Sequence, residues 1–378
     1  MKKSWKLVLT AALAAVCMTA GVASAKDIQA EKIVWQHAGD LAPAFGTDKN
    51  IGVAGVLSGS SNGYVIVGGG ANFPNGGPLA GGPKKTYPDV YVYKIVGDKL
   101  VQTDHSKLAF EAGYGASVTA PEGVYYIGGS TSPEGAKTIS LLKADSQGKL
   151  QTEEIGKLPF TLQNGAAALQ NGKLYIAAGK QDGKLSNKAY AFDLKTKQTT
   201  EIAAYPGAPR EQVVYKILNN RLYVFSGGSS VAYTDGYSYD FSRNVWTKAA
   251  DVRVNGKDIS LLGANSVQLN KDEMLVIGGF NKEVYDNAVA NLTTLKDEQL
   301  AAFKAGYFGA DPEDFHWNKE ILIYQASTNS WRTIGQVPFY APCGEGLVLV
   351  GDKLISINGE IKPGVRSPRM YIGTVSGH

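Results

Sequence analysis

The sequence predicts an all-β chain: a six-bladed β-propeller, in which four-stranded sheets stand around a central channel. Three observations predict it. A short apolar strand ending in two small residues occurs six times in order along the chain. The copies are spaced at a period near that of propeller blades. Each copy sits among the same neighbours, with a small-residue strand before it and a Tyr-rich strand after it.

The six copies read Tyr64–Gly69, Val124–Gly129, Leu174–Gly179, Leu222–Gly228, Met274–Gly279 and Leu354–Gly359, and their last small residues are separated by 60, 50, 49, 51 and 80 positions. Asn171-Gly172 turns the hairpin that leads into the third copy, a strong two-residue hairpin signal. Tyr91-Val92-Tyr93, Tyr190-Ala191-Phe192, Tyr237-Ser238-Tyr239 and Ile321–Tyr324 supply third strands, and Trp246 and Trp331 open fourth strands. Glycine pairs allow backbones to approach closely, and the aromatics fill the space between sheets.

The last repeat stops at three strands. Near the other end, residues 32–42 match the fourth-strand pattern of Trp331 to Pro338: Trp, polar residues, Gly, an apolar residue, Pro. We expect residues 32–42 to complete the sixth blade and so remove the exposed edge of an open ring. Residues 281–318 enlarge the fifth repeat, and Leu295, Leu300 and Phe303 are spaced for one face of a short helix there, over Leu292 to Ala305. Ala71 to Lys85 is a Gly- and Pro-rich loop.

Residues 1–25 read as an export signal: Lys2, Lys3 and Lys6, then an apolar run to Val22, then small residues before Lys26. The expected mature domain is therefore a single propeller over 26–378, in the periplasm. The full chain carries a formal +4, and removing three lysines and no acids leaves +1. A near-neutral chain offers no general electrostatic attraction for nucleic acid. No other stretch is long and apolar enough to cross a membrane. Cys343 is the one cysteine outside the signal, so internal disulfides are excluded. The four histidines lie far apart, which argues against a metal cluster, and a copper oxidase is a poor fit because no histidine pair accompanies the single thiol Cys343. No cofactor is expected. Partners reduce to a small molecule, and the chain is read as a monomer or homodimer.

Only the last repeat follows its turn with Glu360 and, six residues on, Arg366. In a four-stranded blade, the loops between the second and third strands share a face with the links into the next blade. That face gathers Glu360, Arg366, Asn72, Lys84, Lys85, Arg210, Glu111, Asn164, Tyr340, Cys343 and the helical insertion. It is the default ligand face. Each residue also has a plainer reading. A turn glutamate is usually solvated, Arg366 suits a surface ion pair, Arg210 suits a fastener of neighbouring loops, and Cys343 suits a small buried residue. The roles of Glu111 and Cys343 stay open.

The repeats resemble Kelch repeats over residues 52–375. Within that class, Asn358-Gly359-Glu360-Ile361-Lys362-Pro363-Gly364-Val365-Arg366 resembles the signature of bacterial N-acetylneuraminate epimerases, the sialic acid mutarotases. Gly52–Gly55, Lys84–Tyr87, Pro206–Arg210, the helical insertion and Pro338–Tyr340 extend the likeness. The Asn-Gly-Glu repeat lies last here and mid-chain in the commoner arrangement, so the chain is similar to a circularly permuted branch. A propeller tolerates this because its ends meet.

The resemblance implies conversion of the α anomer of a nine-carbon sugar acid to the β anomer. It implies Glu360 as proton acceptor and Arg366 as the other functional residue, suited to the substrate carboxylate. Arg210, Lys85, Asn72 and Tyr340 are taken as further substrate contacts on position and motif. The acid that protonates the ring oxygen is open among a water, Arg366 and a lysine. Two other readings stay open: the same chemistry on another acidic sugar, and a non-catalytic sugar- or protein-binding propeller.

Overall fold

A computed structural model describes residues 28–357 and 359–377; the expected export signal and its cleavage site lie outside these residues. Strands dominate. Among the described residues they form six four-stranded antiparallel sheets and three small ribbons. Five sheets are each built from one stretch of chain, with their inner strands at Ala54–Ser61, Ala116–Ala120, Ala166–Gln170, Val214–Leu218 and Asn265–Gln268.

The sixth sheet is assembled from both ends of the chain. Gly346–Val350, Lys353–Ile357 and Arg369–Ser376 come from the C-terminal part. Lys32–Asp40 pairs along Arg369–Ser376, with Lys32 opposite Ser376 and Trp35 opposite Gly373. Gly373 is needed there: a Cβ at that position would lie 2.5 Å from Ile33 and 3.0 Å from the Trp35 ring.

A ring of main-chain hydrogen bonds joins the sheets at one end of the channel. One residue at or just before each inner strand donates to its counterpart in the preceding sheet. Tyr114 donates to Gly55 (2.7 Å), Asn164 to Tyr114 (2.7 Å), Gln212 to Asn164 (3.0 Å) and Gly263 to Gln212 (3.2 Å). Gly344 donates to Gly263 (2.8 Å), and Gly55 donates back to Gly344 (2.7 Å). All six residues have left-handed backbone, with φ between 53° and 79°. Glycine and asparagine accept that geometry at little cost; Tyr114 and Gln212 do not. This collar satisfies main-chain groups at the ends of the sheets that would otherwise be buried without partners.

The apolar core is divided in the same way, because alternate side chains of each sheet face the sheet on either side. Separate clusters lie between consecutive sheets, such as Phe225 and Tyr223 against Tyr324 and Trp331. Another joins the sixth sheet to the first through Ile355, Ile357 and Ile372 against Val65 and Val67. Trp331 meets Phe225 edge-on at 4.9 Å, the favoured geometry for such rings. The arrangement is consistent with a β-propeller.

The insertion differs from expectation. It holds two helices, α1 (Lys282–Thr294) and α2 (Asp297–Gly309), where one over Leu292 to Ala305 was expected. The expected helix straddles the break. Asn281 caps α1 by accepting from the Val284 N–H. Thr293 and Thr294 return their hydroxyls to carbonyls one turn back, and Leu295 and Lys296 are extended. The apolar spacing does mark the inward face, since Leu295, Leu300, Phe303 and Tyr307 are all half-buried.

Candidate active site

The Glu360–Arg366 spacing has a structural cause. Glu360–Lys362 and Val365–Arg366 form a two-stranded ribbon in which Glu360 stands directly opposite Arg366. Pro363 and Gly364 make the turn, with Gly364 at φ 84°, the left-handed position that a turn of this kind reserves for glycine. The Gly364 N–H donates to Glu360 Oε1 at 2.7 Å. Glu360 and Cys343 exchange main-chain hydrogen bonds of 2.8 and 2.9 Å, which anchor the ribbon beside the collar.

The ribbon forms one wall of a cavity of about 410 Å³, over the collar residues Tyr114, Asn164, Gln212 and Gly344. Arg366 is nearly buried (5% exposed) and Glu360 largely so (17%), with Arg366 Nη1 3.6 Å from Glu360 Oε1. The guanidinium lies over the Phe73 ring, 4.9 Å from its centre. Its Nε and Nη1 are buried without a hydrogen-bond partner. An arginine held in that state keeps unused donors and a charge suited to an anion.

Charge around the pair is mixed. Burial raises the Glu360 carboxyl above its ordinary value, against the opposing pull of Arg366, the Gly364 N–H and Lys84. Lys84 stands over the Tyr114 ring, its Nζ 4.8 Å from the centre. Partial burial, and then the charge of Arg366, pull its amine below the usual lysine value. On the facing wall Asn164 donates to Glu211 at 2.7 Å, and Lys180 pairs with the other Glu211 oxygen at 3.2 Å. Lys362 reaches across to the α2 end, donating to the Phe308 and Ala310 carbonyls at 3.1 and 2.6 Å. The insertion is thereby tied to the ribbon that carries Glu360.

The chain as a whole has relatives among known proteins. The profile of the N-acetylneuraminate epimerase family matches residues 156–378, more than half of the chain. The chain belongs to the N-acetylneuraminate epimerase family. A relative named N-acetylneuraminate epimerase from Yersinia pestis (strain Pestoides F) is 30% identical over 254 residues, covering 64% of this chain and 62% of the relative. One of the same name from Haemophilus influenzae (strain PittEE) is 33% identical over 229 residues, covering 57% and 58%. The chain therefore spans less than two thirds of the relatives it matches. A solved structure titled "Structure of YjhT" superposes with a TM-score of 0.50 at 30% identity, over 55% of this chain and 61% of that one.

Within this family member, the structure brings together some of the residues singled out from sequence and separates others. Glu360, Arg366, Lys84, Asn164 and Cys343 all line the cavity. Arg210 does not. It is 1% exposed, paired with Asp235, and donates to the Ala208 and Ser226 carbonyls at 2.9 and 3.0 Å. Its guanidinium stacks on Tyr233, 3.9 Å from the ring centre. Every part of the fork is used by the protein itself, the plainer reading of this residue.

Asn72 is buried, donating to Gly52 and accepting from Tyr87, and lines a neighbouring cavity under residues 41–53. Lys85 is exposed on the strand paired with Asn72, its Nζ 5.0 Å from the Tyr87 ring centre. Tyr340 is 48% exposed and does not line the cavity. Glu111 accepts from Thr131.

Sequence reasoning missed Tyr114, Lys180 and Glu211. A signal for Tyr114 existed. At the collar position the other repeats have Gly55, Asn164, Gln212, Gly263 and Gly344, and only here does a bulky aromatic take left-handed backbone. It is the odd residue at a position that favours small or amide side chains.

Two stability predictions arise here. Replacing Arg210 with Met strands the Ala208 and Ser226 carbonyls and leaves Asp235 without its partner. It should destabilise the fold by ~2–4 kcal/mol, measured by urea unfolding. If Arg210 touches substrate instead, KM will rise in the folded fraction.

The second concerns Glu345, which is 2% exposed with both carboxyl oxygens unpartnered. Burial pushes its carboxyl well above the usual range. Its stability contribution is full below the unfolded glutamate value and is lost as pH rises through the folded one. Glu345→Gln should therefore raise Tm at pH 8 by about 2–5 °C and by much less at pH 4.5. An equal gain at both pH values would contradict this.

Proposed function

We propose that the protein is an exported N-acetylneuraminate epimerase that converts the α anomer of sialic acid to the β anomer. In this reading it is a single six-bladed propeller over residues 26–378, with residues 1–25 removed on passage to the periplasm. The collar, with one member from each sheet and its last member bonded to its first, supports six blades. A permuted order of blades accounts for a family match confined to residues 156–378.

The observation that carries the functional reading is a nearly buried Arg366 with unpartnered Nε and Nη1, held 3.6 Å from a largely buried Glu360. Arg366 takes the substrate carboxylate bidentately. That places the anomeric carbon, to which the carboxylate is bonded, beside Glu360. Glu360 removes the anomeric hydroxyl proton. The oxygen's electrons form the carbonyl as the ring C–O bond breaks, and the ring oxygen takes a proton. Rotation and re-closure on the other carbonyl face reverse these steps. Of the two cavity amines, Lys180 is held by Glu211, and we assign the ring-oxygen proton to Lys84, whose affinity for it is lowered by burial and by Arg366. The facing Asn164–Glu211–Lys180 group offers polar contacts to the rest of the sugar.

The deciding experiment is proton NMR on α-N-acetylneuraminate freshly released by a sialidase. The anomers are followed with buffer alone and with residues 26–378. Faster appearance of the β anomer supports the reading; a rate equal to buffer at micromolar protein overturns it. Export is tested separately, by fractionating cells and sequencing the N-terminus of the mature protein, with Lys26 expected first. Full-length protein retained in the cytoplasm would end that part of the proposal.

A further inference from the structure

The channel does not end at the collar. Beyond it lies a second cavity of about 440 Å³, lined largely by residues of the inner strands. Between the two, the Tyr215 side chain crosses from the fourth sheet and sets its hydroxyl against the Ser117 main chain of the second. A small cavity of about 100 Å³ lies between them, lined by Tyr114 and Gln212 of the collar and by Tyr215, and the lower cavity shares no lining residue with the one holding Glu360 and Arg366.

Its lining is unlike the upper one. Among the described residues it includes one amine, Lys216, and no carboxylate. Lys216 belongs to the inner strand Val214–Leu218. Its Nζ donates to the Tyr215 carbonyl at 3.0 Å and lies 5.0 Å from the Tyr215 ring centre. No ion pair is formed by Lys216 among the described residues, whereas in the upper cavity Lys180 pairs with Glu211 and Arg366 with Glu360. Burial pulls the Lys216 amine down to about 8. An ammonium has three donors, and one is used here. Lys216 is half-buried and faces the cavity, where an anion would supply the counter-charge that no lining carboxylate provides.

The nearby hydroxyls favour an anion too. Ser117 Oγ accepts from the Ser58 N–H, and Thr119 Oγ1 accepts from the Ser60 N–H, each at 3.3 Å. With their oxygens engaged as acceptors, both hydroxyls keep their protons to donate. Ser58 and Ser60 add further polar surface among the apolar strand residues.

From this cavity, its single amine with no ion pair among the described residues, and its donor hydroxyls, we infer a second, non-catalytic binding site for a small hydroxylated monocarboxylate, with Lys216 holding the carboxylate. It is independent of the upper site and of the activity proposed there.

D-gluconate is the test probe and D-glucose its uncharged counterpart. Binding is measured by ligand-observed NMR on the Arg366→Met protein, so that the upper arginine does not contribute. The expected result is millimolar binding of gluconate, at least ten-fold weaker binding of glucose, and at least ten-fold loss of gluconate affinity when Lys216→Met is added. Thr119→Val, which removes one donor hydroxyl and keeps the shape, should weaken gluconate several-fold; it serves as the readout if Lys216→Met does not fold. Absence of gluconate binding to Arg366→Met overturns the inference. So does equal binding of glucose, or gluconate affinity unchanged in both variants.

Discussion

Glu360→Gln is expected to abolish accelerated mutarotation while leaving the fold and the cavity in place. The amide keeps the shape and can still meet the Gly364 N–H through its oxygen. It cannot take up a proton. A positioned general base is worth roughly 10²–10⁴ in rate, so the variant should fall close to the uncatalysed rate in the anomer NMR measurement. The wild-type pH profile adds a second readout. As the proposed base, Glu360 would act only when ionised, and burial raises its pKa above the ordinary 4.5. Activity should fall as pH drops through that raised value, so the acid limb should lie above the usual glutamate range. Any residual activity of Glu360→Gln should lack that limb. A variant that retains near wild-type rate would remove Glu360 from the chemistry and leave the cavity as a binding site.

Arg366→Met should act mainly on substrate binding. Nε and Nη1 are buried and unpartnered, so the guanidinium keeps donor capacity and charge for an incoming carboxylate. Losing such a charge-assisted contact costs ~2–4 kcal/mol, or about 30- to 1000-fold in KM. Methionine retains most of the packing against Phe73. A second effect has a definite sign. Arg366 holds the Glu360 pKa down against burial. Removing it should move the acid limb of kcat/KM to higher pH. Arg366→Lys should return the limb toward its wild-type position and recover only part of the KM, because an ammonium supplies charge without the planar fork. An unchanged KM in Arg366→Met, with kcat reduced, would instead place Arg366 on the reacting atoms.

Much of this protein is legible in one dimension. The sixfold strand-and-turn pattern marks the second strand of every sheet, because a period-2 apolar pattern ended by small residues has few other solutions. The Trp-to-Pro pattern at residues 32–42 points to a missing fourth strand, and Lys32–Asp40 does pair with Arg369–Ser376. Glu360 and Arg366 stand out because local chemistry marks them. A Pro-Gly turn between them imposes a cross-strand pair, and that geometry depends on no distant residue.

The tertiary structure decided everything that depends on which loops meet. Arg210 has the sequence context of a ligand contact, yet Asp235, 25 residues away, and two carbonyls occupy its fork. Lys84 and Lys85 are adjacent and nearly equivalent as sequence, but side chains alternate along an extended segment, and only Lys84 lines the cavity. Tyr114, Lys180 and Glu211 come from three different parts of the chain, so no local pattern joins them. The burial that raises Glu360 and the isolation of Lys216 likewise arise from sheets distant in sequence. Strand and turn are set by neighbours in the chain; charge, burial and hydrogen-bond satisfaction are set by neighbours in space.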